Sequence, residues 1–214
     1  MSVMTTMTLE TPVEGLAATA PQSLPFAPSV HVRAFLIRRE LGDVLVYAND
    51  KADRDVMAER QYLGHWHEAM VAGRDSGLPL FVHEDDRAEV EPTMHVRGSF
   101  TKRHKLGSDF EVIPMPGHTP GSTAYLWDDG SRRFLFTADS LYLGSGGTWR
   151  AAVLESSDRE AYIASLELLG GLEFDVLVPW AAPADGPYVD EVGPGEARRR
   201  IDEVIARLRR GEDS

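Results

Sequence analysis

The sequence has no cysteine. Disulfide bonds, zinc sites built from thiolates and a cysteine nucleophile are therefore excluded. Histidine and carboxylate side chains remain as the strong ligands that the chain offers a metal ion. The sequence also lacks an apolar run that approaches the length of a transmembrane helix, so we expect no membrane partner.

Positive charge is scarce relative to negative charge. The 22 Lys and Arg residues stand against 34 Asp and Glu residues, which gives a formal net charge of −12. Such a field repels phosphates, so we expect a small-molecule substrate and no nucleic-acid partner. A chain of 214 residues is long enough to bury the core of one domain, but its length does not set an oligomeric state.

Large apolar residues are few in residues 1–27, which are rich in Thr, Ala and Pro. We interpret this segment as a mobile N-terminal arm, and we place a single domain at residues 28–214. The segment does not have the basic start and apolar block of a secretory signal. We therefore expect the protein in the cytoplasm.

Apolar, β-branched runs between turn residues indicate two strand-rich halves, each with helices. "HVRAFLIR" (31–38) and "DVLVYA" (43–48) predict a hairpin, and residues 157–171 predict a helix. A last helix is predicted where apolar residues recur at helical spacing, at Ile201, Val204, Ile205 and Leu208. The pattern indicates one domain of the α+β class.

The stretch "GHWHEAM" (64–70) places His65 and His67 on either side of Trp66. Because the preceding "QYLGH" is typical of a strand, we expect both imidazoles on one face of extended backbone, where they can converge on one ion. Trp66 is expected to pack behind the pair. Two unrelated surface histidines would give the same spacing, so the pair alone does not predict a metal site.

Two further stretches carry candidate ligands. In "PMPGHTPGS" (114–122), glycine and proline residues bracket His118 and favour a rigid loop between two apolar strands. In "LFTADS" (135–140), Asp139 ends a strand too apolar to solvate a carboxylate, which indicates a sheet edge beside positive charge. An incidental histidine in a tight connection and an Asp that caps a turn are the alternatives.

In this order and at these intervals, the motifs resemble the metallo-β-lactamase superfamily over about residues 31–180. "PGHTPGS" followed by a strand that ends in Asp is the specific part of the resemblance. It implies an αββα sandwich with a metal site at one edge, between the two sheets. The implied ligands of the first metal are His65, His67 and His118. Asp139 matches the carboxylate that lies between two metals in the family.

The chain departs from the family at the second metal. In the family motif HxHxDH, the positions of the acid and the following histidine are held here by Ala69 and Met70. A later family histidine aligns with Trp180, and "VYAN" (46–49) stands where the family has an early Asp. The resemblance therefore implies one divalent metal per chain, with zinc expected and iron as the alternative.

A zinc ion held by three histidines leaves one position for a water, whose pKa the metal lowers to about 7. We expect Asp139 to act as the catalytic base, because Ala69 supplies no acid. Loss of a general base typically costs about 10²–10⁴ in rate, so we expect a slow or differently configured enzyme. The expected pocket residues are Glu68, Met70, Tyr142, Trp149 and Trp180, with core packing as the alternative for the aromatic residues and for Met70.

Three functions fit these residues. The first is a hydrolase of a small ester, thioester or lactone that uses one metal-activated water. The second is a mononuclear non-haem iron oxygenase of the persulfide dioxygenase type, in which His65, His118 and Asp139 form a facial triad. The third is a non-catalytic metal-binding or scaffold protein that keeps the fold.

Overall fold

The computed structural model describes residues 9–52, 57–193 and 195–212. Two large β-sheets pack face to face, and helices cover the outer face of each sheet. The predicted α+β class and αββα sandwich are therefore confirmed. Within the described ranges, every helix is too short or too polar to span a lipid bilayer.

The first sheet is built from the N-terminal half of the chain. The strands of this half are β1 (Glu10–Val13), β2 (Leu16–Ala18), β3 (Gln22–Leu24), β4 (Ala27–Val32), β5 (Phe35–Ile37), β6 (Val44–Val46), β7 (Arg60–Tyr62), β8 (Leu80–His83) and β9 (Val96–Phe100). The sheet has the order β1-β2-β5-β6-β7-β8-β9, with β6 to β9 parallel. The segments that follow β6, β7 and β8 therefore meet at one edge of this sheet.

The second sheet is built from the C-terminal half. The strands of this half are β10 (His104–Leu106), β11 (Phe110–Pro114), β12 (Thr123–Asp128), β13 (Arg133–Ala138), β14 (Tyr142–Leu143), β15 (Trp149–Arg150), β16 (Val176–Pro179), β17 (Ala181–Pro183) and β18 (Asp190–Glu191). The sheet has the order β10-β11-β12-β13-β16-β18. Strands β11, β13 and β16 point the same way, so their carboxyl ends also share an edge. Strands β14 and β15 pair as a hairpin, and β17 pairs with β4.

Four helices are described: α1 (His67–Ala72), α2 (Arg87–Val90), α3 (Arg159–Gly170) and α4 (Glu196–Arg209). The helix predicted over residues 157–171 is confirmed as α3, which begins after Asp158, whose carboxylate accepts a hydrogen bond from the Ala161 N–H. The last predicted helix is confirmed as α4, and its four predicted apolar residues are all buried. Helices α3 and α4 cover the second sheet, and α1 and α2 cover the first.

Alternation along the strands distributes their side chains between these layers. Phe134 and Phe136 of β13 lie in the core between the sheets, whereas Leu135 faces α3 and α4. The predicted hairpin is confirmed as β5 and β6, which pair antiparallel with Phe35 opposite Val46. Apolar strands with both faces covered thus hold the shared edge rigidly.

The mobile arm predicted over residues 1–27 is wrong over its described part. Strands β1, β2 and β3 lie there, and β2 pairs with β5. Leu16 and Ala18 are fully buried in the core between the sheets, so a few apolar side chains at alternate positions suffice to dock a segment of low overall hydrophobicity. The boundary predicted at residue 28 therefore falls inside the folded domain. Residues 1–8 lie outside the described residues.

Candidate metal centre

The first two histidines lie just beyond the carboxyl end of β7. The predicted extended backbone is wrong here, because β7 ends at Tyr62 and Trp66 has helical angles (φ −67°, ψ −25°) as the residue before α1. His67 is the first residue of α1. The chain therefore turns between the two histidines, and their rings still meet at 5.0 Å between centroids. Trp66 packs against His67 at 3.9 Å between ring centroids, as predicted.

His118 comes from the loop that joins β11 to β12. Gly117 has φ +148°, and a Cβ there would lie 2.4 Å from the Tyr162 Cα, so the loop approaches α3 more closely than a larger residue allows. The His118 Nδ1 lies 2.6 Å from the carbonyl oxygen of Ala152, and the Ser157 hydroxyl donates to the carbonyl of His118. These contacts support the loop on both sides of His118 and direct the His118 Nε2 towards the other histidines.

Three imidazoles converge at the shared edge of the sheets. One ring nitrogen from each of His65, His67 and His118 lies within 4.8 Å of the others. The His118 ring centroid is 4.8 Å from that of His65 and 5.1 Å from that of His67. The His67 Nδ1 and the His118 Nε2 are 3.1 Å apart. Nitrogens that each lie about 2.0–2.1 Å from one ion are at most about 4.2 Å apart, so small rotations of the imidazoles would bring the three nitrogens to the distances of a metal site.

Asp139 follows β13 and reaches the same point. Its Oδ2 lies 3.4 Å from the His65 Nε2 and 3.7 Å from the His118 Nε2. Ala138, the last residue of β13, has φ +48°, and the pairing of β13 with β16 is irregular there. The kink at Ala138 accompanies the turn of the chain that carries Asp139 from the end of the sheet to the histidines.

Glu68 was predicted to line a substrate pocket, and that prediction is wrong. Its side chain is fully buried on the inner side of the histidines. The Glu68 Oε1 accepts from the N–H groups of Gly64 (2.7 Å) and His65 (3.1 Å) and lies 3.2 Å from the His65 Nδ1. The Oε2 accepts from the Ala48 N–H at 3.1 Å. Glu68 therefore orients His65 with its Nε2 towards the cluster.

The buried charges perturb one another strongly. Burial alone would lower the pKa of His65, but Asp139 and Glu68 outweigh it and raise that pKa to about 10. Burial, with the neighbouring His65 and His118, lowers the pKa of His67 to about 3. Burial and the charge of His65 also lower the pKa of His118. Without a metal ion, the environment thus favours a proton on His65 and keeps the other two imidazoles neutral, and a metal bound at the His65 Nε2 would displace that proton.

The residues fit a divalent metal ion. Two polar atoms at the centre, the His65 Nε2 and the Asp139 Oδ1, are buried and have no hydrogen-bond partner among the described residues. Buried polar atoms are rarely left unpaired, and metal coordination is one way of satisfying them. The Nδ1 atoms of His65 and His118 are occupied by Glu68 and Ala152, which leaves each Nε2 free for a metal.

The positions that differ from the two-metal motif are filled in other ways. Ala69 is fully buried in the apolar cluster of α1 with Ala48 and Leu63. Met70 was predicted to line the pocket or to pack as a filler, but 54% of it is exposed on α1, and within the described part of the chain no contact brings it to the histidines. The predicted packing role of Met70 is therefore wrong.

Trp180 lies beside the cluster. Its ring is 5.3 Å from that of His65, edge to face, and its Nε1–H donates to the carbonyl of Ala48 at 2.8 Å. Only 3% of Trp180 is exposed. It therefore forms an apolar wall against His65 at the position where the resemblance places a further histidine.

Two other predicted pocket residues lie elsewhere. Trp149 is buried in the core beside α4, where it stacks on Phe174 and donates to the Asp190 carboxylate at 2.7 Å. The pocket prediction for Trp149 is therefore wrong, and the alternative of core packing is correct. Tyr142 is half-buried and lines a surface groove with Val30 and Arg150, among others, so no contact shows it over the histidines.

Three buried residues support the candidate ligands in ways that the sequence did not predict. Tyr47 and Asp86 each bond to the backbone next to a candidate ligand. Glu68 was expected in the pocket and instead lies beneath His65. Tyr47 directly follows β6, and Asp86 ends the short 3-10 turn after β8, and that placement was the available signal for Asp86.

A sequence model of the metallo-beta-lactamase superfamily matches residues 43–181, which include all four candidate ligands. A subclass B3 metallo-beta-lactamase of Bradyrhizobium japonicum, BJP-1, has a similar structure, with a TM-score of 0.63 at 15% identity, over 98% of this chain and 97% of that chain. A metallo-beta-lactamase from Pontibacter korlensis gives a TM-score of 0.67 at 13% identity, over 95% and 99% of the two chains.

A metallo-beta-lactamase from Hirschia baltica gives a TM-score of 0.65 at 12% identity, over 94% of this chain and 97% of that chain. At such identities the three structures establish the fold alone. The sequence model covers well over half of the chain, from β6 to the first residue of β17. The protein therefore belongs to the metallo-beta-lactamase superfamily.

Proposed function

We propose that the protein is a metal-dependent hydrolase that acts on a small ester, thioester or lactone. The observation that carries the proposal is the convergence of three imidazole nitrogens within 4.8 Å, beside the buried and unpaired Asp139 Oδ1. Among the described residues, His65, His67 and His118 would hold the ion. Zinc is the metal that three histidines with an open position favour.

A zinc ion bound there would lower the pKa of a water to about 7 and so supply a nucleophile at neutral pH. Asp139 would accept a proton from the attacking water, a role supported by the proximity of its Oδ2 to the Nε2 atoms of His65 and His118. The water oxygen would form a new bond to the carbonyl carbon, and the bond to the leaving oxygen or sulfur would break. Asp139 would then return the proton to the leaving alcohol or thiol.

The rate should be modest. The family motif places an acid at the position of Ala69, and a methyl group buried among apolar side chains cannot move a proton. Loss of a general base typically costs about 10²–10⁴ in rate. Among the described residues, Asp139 is the carboxylate within 3.7 Å of the Nε2 atoms of His65 and His118, whereas Glu68 is fully buried at the Nδ1 of His65.

The net charge of −12 supports a small substrate over a nucleic acid, because phosphates would be repelled. The solved structures described above are metallo-beta-lactamases, so a β-lactam belongs among the substrates to be tested. The cyclic amide of a β-lactam would require the same attack on a carbonyl carbon as a lactone.

One observation favours a second candidate, an iron oxygenase that uses O₂. The Asp139 Oδ2 lies close to the Nε2 atoms of both His65 and His118, which is the donor set of a facial triad for iron(II). In that arrangement His67 is not required as a ligand. The two candidates therefore differ in the residue whose loss is most damaging.

The proposal is tested with protein reconstituted with zinc or with iron(II). The substrates are p-nitrophenyl acetate, a simple acyl thioester, a γ-lactone and a chromogenic β-lactam, with oxygen consumption followed in parallel on a low-molecular-weight persulfide. We expect zinc-dependent hydrolysis that His118→Ala abolishes and that His95→Ala, at an exposed histidine outside the cluster, leaves unchanged. Hydrolysis that survives His118→Ala, or a metal-loaded protein with no turnover, would overturn the proposal.

A further inference from the structure

A second buried carboxylate, Asp86, lies behind the histidines. It ends the short 3-10 turn that follows β8 and is 2% exposed. Its Oδ2 accepts a hydrogen bond from the Trp66 N–H at 3.0 Å and another from the Thr119 hydroxyl at 2.8 Å. Its Oδ1 accepts from the Gly121 N–H at 2.8 Å. One side chain thus receives three donors from two separate loops.

The three donors belong to the two loops that carry the candidate ligands. Trp66 lies between His65 and His67 in the first loop. In the second loop, Thr119 directly follows His118, and Gly121 comes two residues later. The carboxylate of Asp86 therefore joins the segment that carries two candidate ligands to the segment that carries the third.

The fit around Asp86 is close. A Cβ built on Gly121 would lie 2.5 Å from the Asp86 Cγ, so only glycine lets the carboxylate approach the loop this far. The Gly121 backbone does not adopt a positive φ, so its need for glycine comes from contact with Asp86 rather than from a left-handed conformation. Thr119 also contacts the Ser122 hydroxyl at 2.9 Å, but that contact lies within one loop. A backbone bond from the Thr123 N–H to the Gly64 carbonyl (2.8 Å) also joins the two segments, and Asp86 is the carboxylate that bridges them.

We propose that Asp86 is a positioning residue that fixes the relative placement of the two ligand-bearing loops and thereby sets the metal affinity of the three-histidine site. The inference rests on metal binding at the site of the proposed function. A carboxylate suits the role because it has acceptor sites for all three donors and no hydrogen to donate. Partners that orient metal ligands through hydrogen bonds typically contribute about 10- to 100-fold in metal affinity.

The test compares Asp86→Asn with Asp175→Asn. The first substitution keeps the shape, but its amide nitrogen cannot accept from a backbone N–H. The second is a control at an exposed carboxylate outside the candidate centre, where Asp175 accepts from the Arg133 N–H. Zinc affinity is measured by competition with a chromophoric chelator, the ligand geometry from the visible bands of the cobalt-substituted protein, and the fold from thermal melting of the metal-free protein.

We expect Asp86→Asn to weaken zinc binding by about 10- to 100-fold and to alter the cobalt bands, with Asp175→Asn matching the wild type in both. A residue with a purely structural role would lower the melting temperature of the metal-free protein and leave the cobalt bands unchanged. Wild-type affinity and wild-type cobalt bands in a folded Asp86→Asn variant would therefore overturn the proposal.

A second variant covers the case in which Asp86→Asn does not fold. Gly121→Ala keeps the carboxylate but pushes it away from the second loop, and we expect the same direction of change in zinc affinity and cobalt bands. A Gly121→Ala protein with wild-type zinc affinity and wild-type cobalt bands would overturn the inference about Asp86 and leave the proposed function standing. A wild-type protein that binds neither zinc nor cobalt would overturn the proposed function and this inference together.

Discussion

The hydroxyl oxygen of Tyr47 accepts a hydrogen bond of 2.8 Å from the backbone N–H of Ala138, the residue that precedes Asp139. The same hydroxyl donates to the carbonyl of Val178 at 2.8 Å. Tyr47 is fully buried and has φ +71°, so its side chain is directed from the end of β6 across to the second sheet. It stands within the "VYAN" stretch that replaces the early Asp of the family, and it holds the backbone from which Asp139 extends.

Tyr47→Phe tests this link. Removal of the hydroxyl leaves the Ala138 N–H and the Val178 carbonyl buried without a partner, which typically costs about 1–3 kcal/mol. We expect a lower free energy of unfolding in urea and weaker zinc binding, because the backbone before Asp139 loses one of its anchors, while the Tyr162 hydroxyl still donates to the Asp139 carbonyl. Tyr188→Phe is the control, since its half-buried hydroxyl contacts Glu10 far from the histidines in sequence. Equal stability of the two variants would contradict the link.

Ala138→Gly tests the kink before Asp139. A residue with a Cβ at φ +48° is strained by about 1–2 kcal/mol relative to glycine. We expect the substitution to leave stability unchanged or to raise it by up to about 1 kcal/mol, because the relief of strain is offset by the loss of a buried methyl group. Ala124→Gly, at a buried position of β12 with no positive φ, should destabilise instead. The prediction fails if both substitutions destabilise by the same amount in urea melts.

Glu68→Gln tests the support beneath His65. The amide replaces one carboxylate oxygen with a donor, which then faces a backbone N–H of either Ala48 or Gly64. We expect the zinc affinity to fall by about 10- to 100-fold, since His65 loses its fixed orientation. Glu89→Gln on the exposed face of α2 should have no effect. Chelator competition measures both, and an unaffected Glu68→Gln protein would show that Glu68 does not orient His65.

The contrast between His67→Ala and Asp139→Ala separates the hydrolase from the oxygenase. In the three-histidine site, loss of His67 should weaken metal binding by more than the roughly 10- to 100-fold that an outer partner costs. In the facial triad, Asp139→Ala should be the more damaging change. We expect His67→Ala to lower the zinc affinity more than Asp139→Ala does, in variants that circular dichroism shows to be folded. The reverse ranking would favour the iron enzyme.

The family resemblance implied both the sandwich and the four candidate ligands, and the local strand and helix pattern was consistent with that fold. Apolar alternation reports which strand faces are buried, and the spacing of His65, His67, His118 and Asp139 follows a family motif. The predicted extended backbone at His65 and His67 was nevertheless wrong, because Trp66 has helical angles and helix α1 begins at His67. Tertiary context decided the local backbone there.

Contacts between residues distant in the sequence could not be predicted in the same way. Trp149 was placed in the pocket because it follows Asp139, but a hairpin carries it to α4 instead. The N-terminal strands were not predicted because large apolar residues are few in residues 1–27. Leu16 and Ala18 become buried only when β2 pairs with β5. Asp86 received no role because its three donors lie in loops far along the chain.

We infer that the chain keeps one metal site and lacks the second, since Ala69 and Trp180 are buried in apolar surroundings where the resemblance places ligands of a second metal. The metal content of protein equilibrated with a modest excess of zinc and then desalted tests this most directly. We predict close to one zinc ion per chain, a value that His118→Ala reduces towards zero. A ratio near two would mean that a second site survives, and a ratio near zero in the wild-type protein would mean that the histidine cluster does not hold a metal.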